Sequence, residues 1–161
     1  MPDLFPWFML LHILGAIVAF GPSFIFPLIG AMGGREPMHA NFATRLSLRI
    51  EERVVVPLAI VQGVTGIGLI WTGSVDLFAE AWLVVAIALY LAALGFAIFA
   101  QPKAIERVIE LTSAPMPAPA ADAPAGPPPV LLAAIKRVQL GGMYLTVSIV
   151  AIVFLMVVKP L

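Results

Sequence analysis

The sequence contains no cysteine and few charged residues. Of its 161 residues, 11% are charged and 61% are hydrophobic, and the mean hydropathy is +1.06, whereas about a quarter of the residues in a soluble globular protein are charged. The missing cysteine excludes disulfides, thiolate metal sites and a cysteine nucleophile. Nine basic and nine acidic residues give zero net charge, without a basic cluster that could bind nucleic acid. The composition is that of a membrane protein.

Four long stretches carry no Asp, Glu, Lys or Arg. They comprise 31, 22, 22 and 21 residues and cover 4–34, 54–75, 81–102 and 138–158. Because about 20 apolar residues are enough to cross the hydrocarbon core, each stretch can span a membrane. The sequence therefore predicts an all-α fold, a four-transmembrane-helix bundle that forms one integral membrane domain over residues 1–161, with spans at about 6–31, 54–73, 81–101 and 138–158.

Basic residues are concentrated in two of the connections between these spans. All of the Lys and Arg except Lys159 lie between spans one and two or between spans three and four. The positive-inside rule predicts that these connections are cytoplasmic, so that both termini lie outside. Tryptophan favours membrane interfaces, and three tryptophans fall at the predicted outer ends of spans: Trp7, Trp71 and Trp82.

Two prolines predict a kink in the first helix. Pro22 and Pro27 lie inside span one, and each removes a backbone hydrogen bond. The hydroxyl of Ser23 can satisfy a carbonyl that is freed in this way. We therefore expect span one to bend in its inner half.

Two cytoplasmic segments adjoin the inner ends of the spans. Residues 39–53 place Phe42, Leu46 and Ile50 at four-residue spacing, which predicts either an amphipathic helix on the membrane surface or an extension of span two. Residues 113–129 contain seven prolines and six alanines with a single charge. Such a composition cannot bury a core, so we expect a disordered Pro/Ala-rich cytoplasmic linker there.

His12 is the one side chain in the four predicted spans that titrates near neutral pH. An ionisable group in hydrocarbon is costly and usually faces the protein interior. Phe8, Gly15 and Ala19 share a helical stripe with His12, so we expect its ring to face the bundle. Three roles are open: a structural hydrogen bond to a neighbouring helix, a haem or metal ligand, and proton or quinone chemistry.

Small residues at helical spacing predict where the spans pack against one another. In span two, Ala59 precedes Gly63 by four residues, and Gln62 and Thr65 could form hydrogen bonds across helices. Counted from the span ends, both polar residues lie deeper in the membrane than His12. The predicted helix-packing residues are Gly15, Ala19, Ala59, Gly63, Gly66, Gly141 and Ser148.

A haem site would require a second axial ligand besides His12. His39 lies in a cytoplasmic segment, on the wrong side of the membrane, whereas Met156 lies near the outer end of span four. Methionine can ligate haem iron, and Tyr90 and Tyr144 add a phenol to spans three and four. These four residues are the candidate cofactor-binding residues, with haem b as the possible cofactor; no catalytic residues and no metal cluster are predicted.

Several short motifs resemble those of a known family. They are LHILGA at 11–16, the segment 45–53 leading to Val56-Pro57, Thr65-Gly66, and WLVV at 82–85. Over about the first 105 residues the chain resembles the bacterial family of four-helix predicted integral membrane proteins of unknown function, and it is distantly similar to CopD-type and HemJ-type membrane proteins. The HemJ-type resemblance implies that His12 ligates haem, although Ala86 and Tyr90-Leu91 stand where that family has a lysine and Tyr-His. The CopD-type resemblance implies copper handling.

The sequence favours a non-enzymatic function. It has no acidic pair within a span, no Walker loop and no H-E-x-x-H motif. We therefore predict an accessory or structural subunit of a larger membrane complex, which contacts the lipid bilayer and either other membrane subunits or a second copy of itself. The alternative is a haem-binding or quinone-linked redox protein that uses His12.

Overall fold

The described part of the chain is helical throughout. The computed structural model describes residues 3–77, 79–113 and 126–160, and no strand is present among them. The helices are α1 (Phe5–Phe20), α2 (Phe26–Arg35), α3 (Pro37–Ile50), α4 (Val56–Thr72), α5 (Ala81–Phe99), α6 (Gln101–Ser113) and α7 (Pro129–Val158). A 3₁₀ turn at Gly21–Phe24 joins α1 to α2, and a π-helical turn at Glu51–Val55 joins α3 to α4.

These helices form four long units. The units are Phe5–Arg35, Pro37–Thr72, Ala81–Ser113 and Pro129–Val158, and each is long and apolar enough to cross a membrane. At 1.5 Å per residue, such units extend about 45–54 Å, well beyond the ~30 Å hydrocarbon core. The predicted all-α bundle with four spans is confirmed, and its helices continue past the predicted spans.

Consecutive units pack side by side. α1 packs on α4, α2 on α3, α3 on α6, and α5 and α6 on α7, while the 3₁₀ turn touches α7. The start of α1 and the end of α7 therefore lie at one end of the bundle, which we call the terminal end. The opposite end, called the basic end, carries Arg35, Arg45, Arg49, Arg53, Lys103, Arg107, Lys136 and Arg137.

The first helix bends where its prolines lie. Pro22 is part of the 3₁₀ turn, where the Ile25 N–H donates to the Pro22 carbonyl at 2.9 Å. Proline lacks the N–H that α-helical bonding requires, so the tighter turn absorbs the lost bond. The first unit is bent by 22°, which confirms the predicted kink.

Span two contains a wide turn that adjoins a proline. In Glu51–Val55 the backbone hydrogen bonds join residues five apart instead of the four of an α-helix. For example, the Val56 N–H donates to the Glu51 carbonyl. Pro57 follows at once, and in a regular α-helix its ring would collide with the carbonyl four residues earlier. The wide turn relieves that collision, so α3 runs into α4 without a break. Residues 37–50 therefore extend span two, the second of the two expected alternatives.

Small residues occupy the most buried positions of the bundle, and most of the large apolar side chains face outward, although Trp82, Leu83 and Ile105 are buried. Ala19 and Ala86 are fully buried, whereas Trp71 is 75% exposed and Ile67 is 69% exposed. Within the described residues, no large side chain is fully buried. This arrangement suits lipid, where close helix approach replaces the hydrophobic driving force that packs large side chains inside a soluble protein.

At the basic end, Asn41 ties α3 to the last turn of α6. Its Nδ2 lies 3.1 Å from the Ile109 carbonyl, 2.8 Å from the Thr112 hydroxyl and 3.0 Å from the Ser113 hydroxyl. The Ile109 carbonyl also accepts from the Thr112 and Ser113 hydroxyls of α6, so the amide of Asn41 joins α3 to a group of polar atoms at the end of that helix. The predicted linker follows directly, and its residues 114–125 lie outside the described residues.

Substitution of Ala86 by leucine tests the small-residue interior. Because Ala86 is fully buried, Ala86→Leu should overpack the bundle and lower the free energy of unfolding by about 1–3 kcal/mol. Ala88 on the same helix is exposed, so Ala88→Leu should change it by less than about 0.5 kcal/mol. Unfolding in mixed detergent micelles, followed by circular dichroism, measures both. Equal losses would contradict this assignment of interior and exterior.

Candidate functional site

The polar side chains of spans one and two meet where α1 packs on α4. His12 Nδ1 lies 2.9 Å from Thr65 Oγ1, and Gln62 Nε2 donates to the His12 carbonyl at 2.9 Å. Thr65 therefore lies at the depth of His12, which corrects the expectation that it lies deeper. The register between two antiparallel helices sets this depth, and counting from the span ends does not reveal it.

Thr65 links the His12 ring to the backbone of α4. The Thr65 hydroxyl oxygen also lies 3.0 Å from the Gln62 carbonyl. When the hydroxyl donates to that carbonyl, its oxygen accepts a hydrogen from Nδ1 of the neutral ring. Nε2 then retains a lone pair. Gly66 lies beside the ring, because a Cβ at Gly66 would stand 3.4 Å from His12 Cε1.

Gln62 joins α1 and α4 through both ends of its amide group. Nε2 donates to the His12 carbonyl, and Oε1 lies so close to Gly15 that a Cβ there would approach it to 2.6 Å. Gly15 follows His12 by about one helical turn. A residue without a Cβ is needed at this position, because the amide occupies the space of the side chain.

Gln101 repeats this arrangement between the third and fourth units. Its Nε2 donates to the Val138 carbonyl at 3.2 Å, and its Oε1 occupies the space where a Cβ of Gly141 would stand. In both cases the glycine follows the bonded carbonyl by three residues. We call the pairs Gln62–Gly15 and Gln101–Gly141 the glutamine–glycine clamps. One clamp joins α1 to α4, and the other joins α6 to α7.

Tyr90 lies on a different flank of α4. Its hydroxyl donates to the Ala59 carbonyl at 2.8 Å, and a Cβ on Gly63 would approach the hydroxyl oxygen to 2.5 Å. The phenol therefore covers the Ala59 and Gly63 pair and joins span three to span two. His12 contacts the flank that faces α1, so the structure places Tyr90 and His12 at separate interfaces.

The other two candidate cofactor residues lie on α7. The Tyr144 ring meets the Phe96 ring edge to face, with centroids 5.0 Å apart, and the buried Ser148 donates to the Tyr144 carbonyl at 2.8 Å. Met156 lies about three turns nearer the terminal end and is half-buried. Of the four candidate cofactor residues, His12 is the one that lies between α1 and α4.

Two buried polar residues are absent from the predicted site residues. Gln101 precedes Pro102 at the end of span three, and Glu51 precedes span two, so both resemble ordinary interfacial residues in the sequence. For Glu51 a signal exists, because it shares a helical stripe with Val55 and Ala59, and all three are buried. The contact of Gln101 with Gly141 has no comparable signal.

Alanine at Gly141 tests the second clamp. A Cβ there would displace the Gln101 amide oxygen, so Gly141→Ala should lower the free energy of unfolding by about 1–3 kcal/mol. At the adjacent Gly142 a Cβ would enter open space, and Gly142→Ala should be neutral or stabilising by up to about 1 kcal/mol. Detergent unfolding compares the two variants. A Gly142→Ala variant as unstable as Gly141→Ala would show that the clamp is not the cause.

The comparisons with known proteins bear on the whole chain. A family model described as "Predicted integral membrane protein (DUF2269)" matches residues 7–160, so the similarity continues through the fourth unit. No curated protein and no solved structure matches the chain, and the distant similarity to CopD-type and HemJ-type proteins gains no support. The matched residues include nearly all of the four helical units and both clamps. The chain therefore belongs to the DUF2269 family of predicted integral membrane proteins.

Proposed function

We propose that the protein is a non-enzymatic structural subunit that packs in the bilayer against another subunit of a membrane complex. The observation that carries this proposal is the use of the polar side chains inside the bundle. Gln62, Thr65, Tyr90, Gln101 and Ser148 all bond to other groups of this chain. Gln62, Tyr90 and Gln101 bond to carbonyls of neighbouring helices. Thr65 also contacts His12 of α1, whereas the bond of Ser148 lies within α7. These side chains serve the bundle itself rather than a shared substrate site.

The outer face of α7 supports a contact with a partner helix. Thr146, Val150 and Phe154 line a shallow apolar groove of about 470 Å³, and Gly142 lies one turn from Thr146 with open space beside it. Lipid tails make few van der Waals contacts with an exposed glycine. A second helix can approach the glycine closely and make many more. We infer that a transmembrane helix of another subunit occupies this groove.

The charge distribution supports one orientation in the bacterial inner membrane. The basic end holds nearly all of the Lys and Arg residues, so by the positive-inside rule it faces the cytoplasm. At the terminal end, Lys159 Nζ lies 5.2 Å from the centre of the Trp82 ring. This contact keeps the ammonium group at the outer interface, where tryptophan is also favoured.

Photo-crosslinking in native membranes tests the groove. A benzophenone amino acid at Thr146 should give one defined protein adduct that is larger than the 17.1 kDa chain. The same probe at Ile67, an exposed position on α4, serves as the matched control and should give no such adduct. The mass of the adduct identifies the partner.

Two results would overturn the proposed occupant. If neither position gives a protein adduct in membranes that contain the native partners, the groove faces lipid. If the Thr146 adduct has the mass of two copies, a second copy of this chain occupies the groove, and the protein is a homo-oligomer.

One observation favours a second candidate function, redox chemistry at His12. Histidines that bind metals usually donate the other ring N–H to a protein acceptor, and in the tautomer whose Nδ1–H donates to Thr65, Nε2 of His12 retains a lone pair. The residues fit a haem b or quinol site only in part, because Met156, Tyr90 and Tyr144 lie at other interfaces. A bound haem would obtain one axial ligand from this interface.

Absorption spectra of the purified protein distinguish the two functions. If His12 is structural, oxidised and dithionite-reduced protein expressed with adequate haem should show no Soret band, and His12→Ala should lose stability without a spectral change. A Soret band in the parent that is missing in His12→Ala would contradict the structural role and favour the redox function.

A further inference from the structure

Glu51 is a buried carboxyl group, and no described residue forms a hydrogen bond or an ion pair with it. Its side chain is 4% exposed, and its Oε1 has neither solvent contact nor a hydrogen-bond donor. Among the described residues, two other buried side-chain oxygens lack a donor, those of Gln62 and Gln101. Those two amide oxygens lie against the glycines that they clamp, whereas no described glycine faces Glu51. The two amides cannot ionise, so Glu51 is the one residue of these three that can carry a charge.

The groups around Glu51 provide no compensating charge in the described structure. The π-helical turn packs against α1, α3 and α4. α4 has no ionisable residue, and α1 has His12, which lies about 21 Å away along the axis by helix register. The described ion pairs do not include Glu51. The charged and titratable residues of α3 and of the turn itself are exposed: His39, Arg45, Arg49, Glu52 and Arg53.

An unpaired carboxylate in such surroundings is expensive. Removing a charge from water without a partner costs several kcal/mol or more, so the group takes up a proton instead. We propose that Glu51 is a proton-binding site: its carboxyl group is protonated in the closed bundle, and its ionisation loosens the packing of span one on span two at the basic end.

The backbone at this depth favours such an opening. The π-helical turn begins at Glu51, and by helix register it lies at the same depth as the 3₁₀ turn of the first unit, about 14–21 Å from the level of His12. Turns of these two kinds inside helices often mark hinges and functional sites. Two adjacent spans therefore depart from α-helical geometry beside the same buried acid. When the acid ionises, movement at these turns can admit water to it.

A hydrophobic carbodiimide tests the protonation state directly. The carboxyl oxygen adds to the carbodiimide carbon while the carboxyl proton moves to nitrogen, and an O-to-N acyl shift then gives a stable N-acylurea that retains all atoms. The full-length protein in detergent should be modified at Glu51 at about pH 6, and the rate should fall about tenfold per pH unit above the titration midpoint. Glu52, its exposed neighbour, is the internal control and should react much less.

Hydrogen–deuterium exchange tests the opening. In the parent, the peptides that cover 17–25 and 49–58 should exchange faster at high pH after correction for the intrinsic exchange rate. Glu51→Gln keeps the shape but cannot ionise, so the corrected exchange should not depend on pH. Glu52→Gln is the matched control and should behave like the parent.

Three results would overturn the proposal. The first is a Glu51 that resists the carbodiimide at every pH while other carboxyl groups react. The second is modification of Glu51 at a rate that does not change with pH. The third is a Glu51→Gln variant that keeps the pH-dependent exchange of the parent. The carbodiimide experiment uses the parent protein, so its result does not depend on whether a variant folds.

Discussion

The close approach of neighbouring helices is the constraint on which the rest of this structure depends. Lipid tails are as apolar as leucine, so burial of large side chains does not hold transmembrane helices together. Packing and interhelical hydrogen bonds must do so. The glutamine–glycine clamps supply both, since the amide donates to a carbonyl of the neighbouring helix and also needs the space that a Cβ would fill. Each clamp therefore fixes the distance and the register of two helices together.

Register determines what the other polar groups can do. Once Gln62 lies over Gly15, Thr65 stands opposite His12 and can accept its Nδ1 proton. The hydrogen-bond partner of the histidine ring is thus a consequence of helix packing. The same register places the 3₁₀ turn of the first unit at the depth of the π-helical turn of the second. Prolines in both spans cause these departures, and the bundle accommodates them side by side near the buried Glu51.

The sequence predicts the parts of this fold that depend on local composition. Charge-free stretches predict the spans, and Pro22 predicts the kink. Contacts between helices are harder to predict, because the relative axial position of two antiparallel helices cannot be read from the sequence of either helix alone. For this reason the depth of Thr65 was misjudged, and the contact of Gln101 with Gly141 was not predicted. Pro57 was visible, but the wide turn beside it depends on a continuous helix from α3 to α4, which the sequence left as one of two alternatives.

The two clamps also show how similar packing can arise between different pairs of spans. In the first pair of spans, the glycine precedes the glutamine in the chain, and in the second pair the order is reversed. A clamp requires only one amide, one glycine and the carbonyl three residues before that glycine. Because a clamp needs only these three groups, the residues between them are free to vary. The two halves of the chain therefore do not have to be similar in sequence. The shared geometry is then a common physical solution to helix packing in lipid, and an internal duplication is not required to account for it.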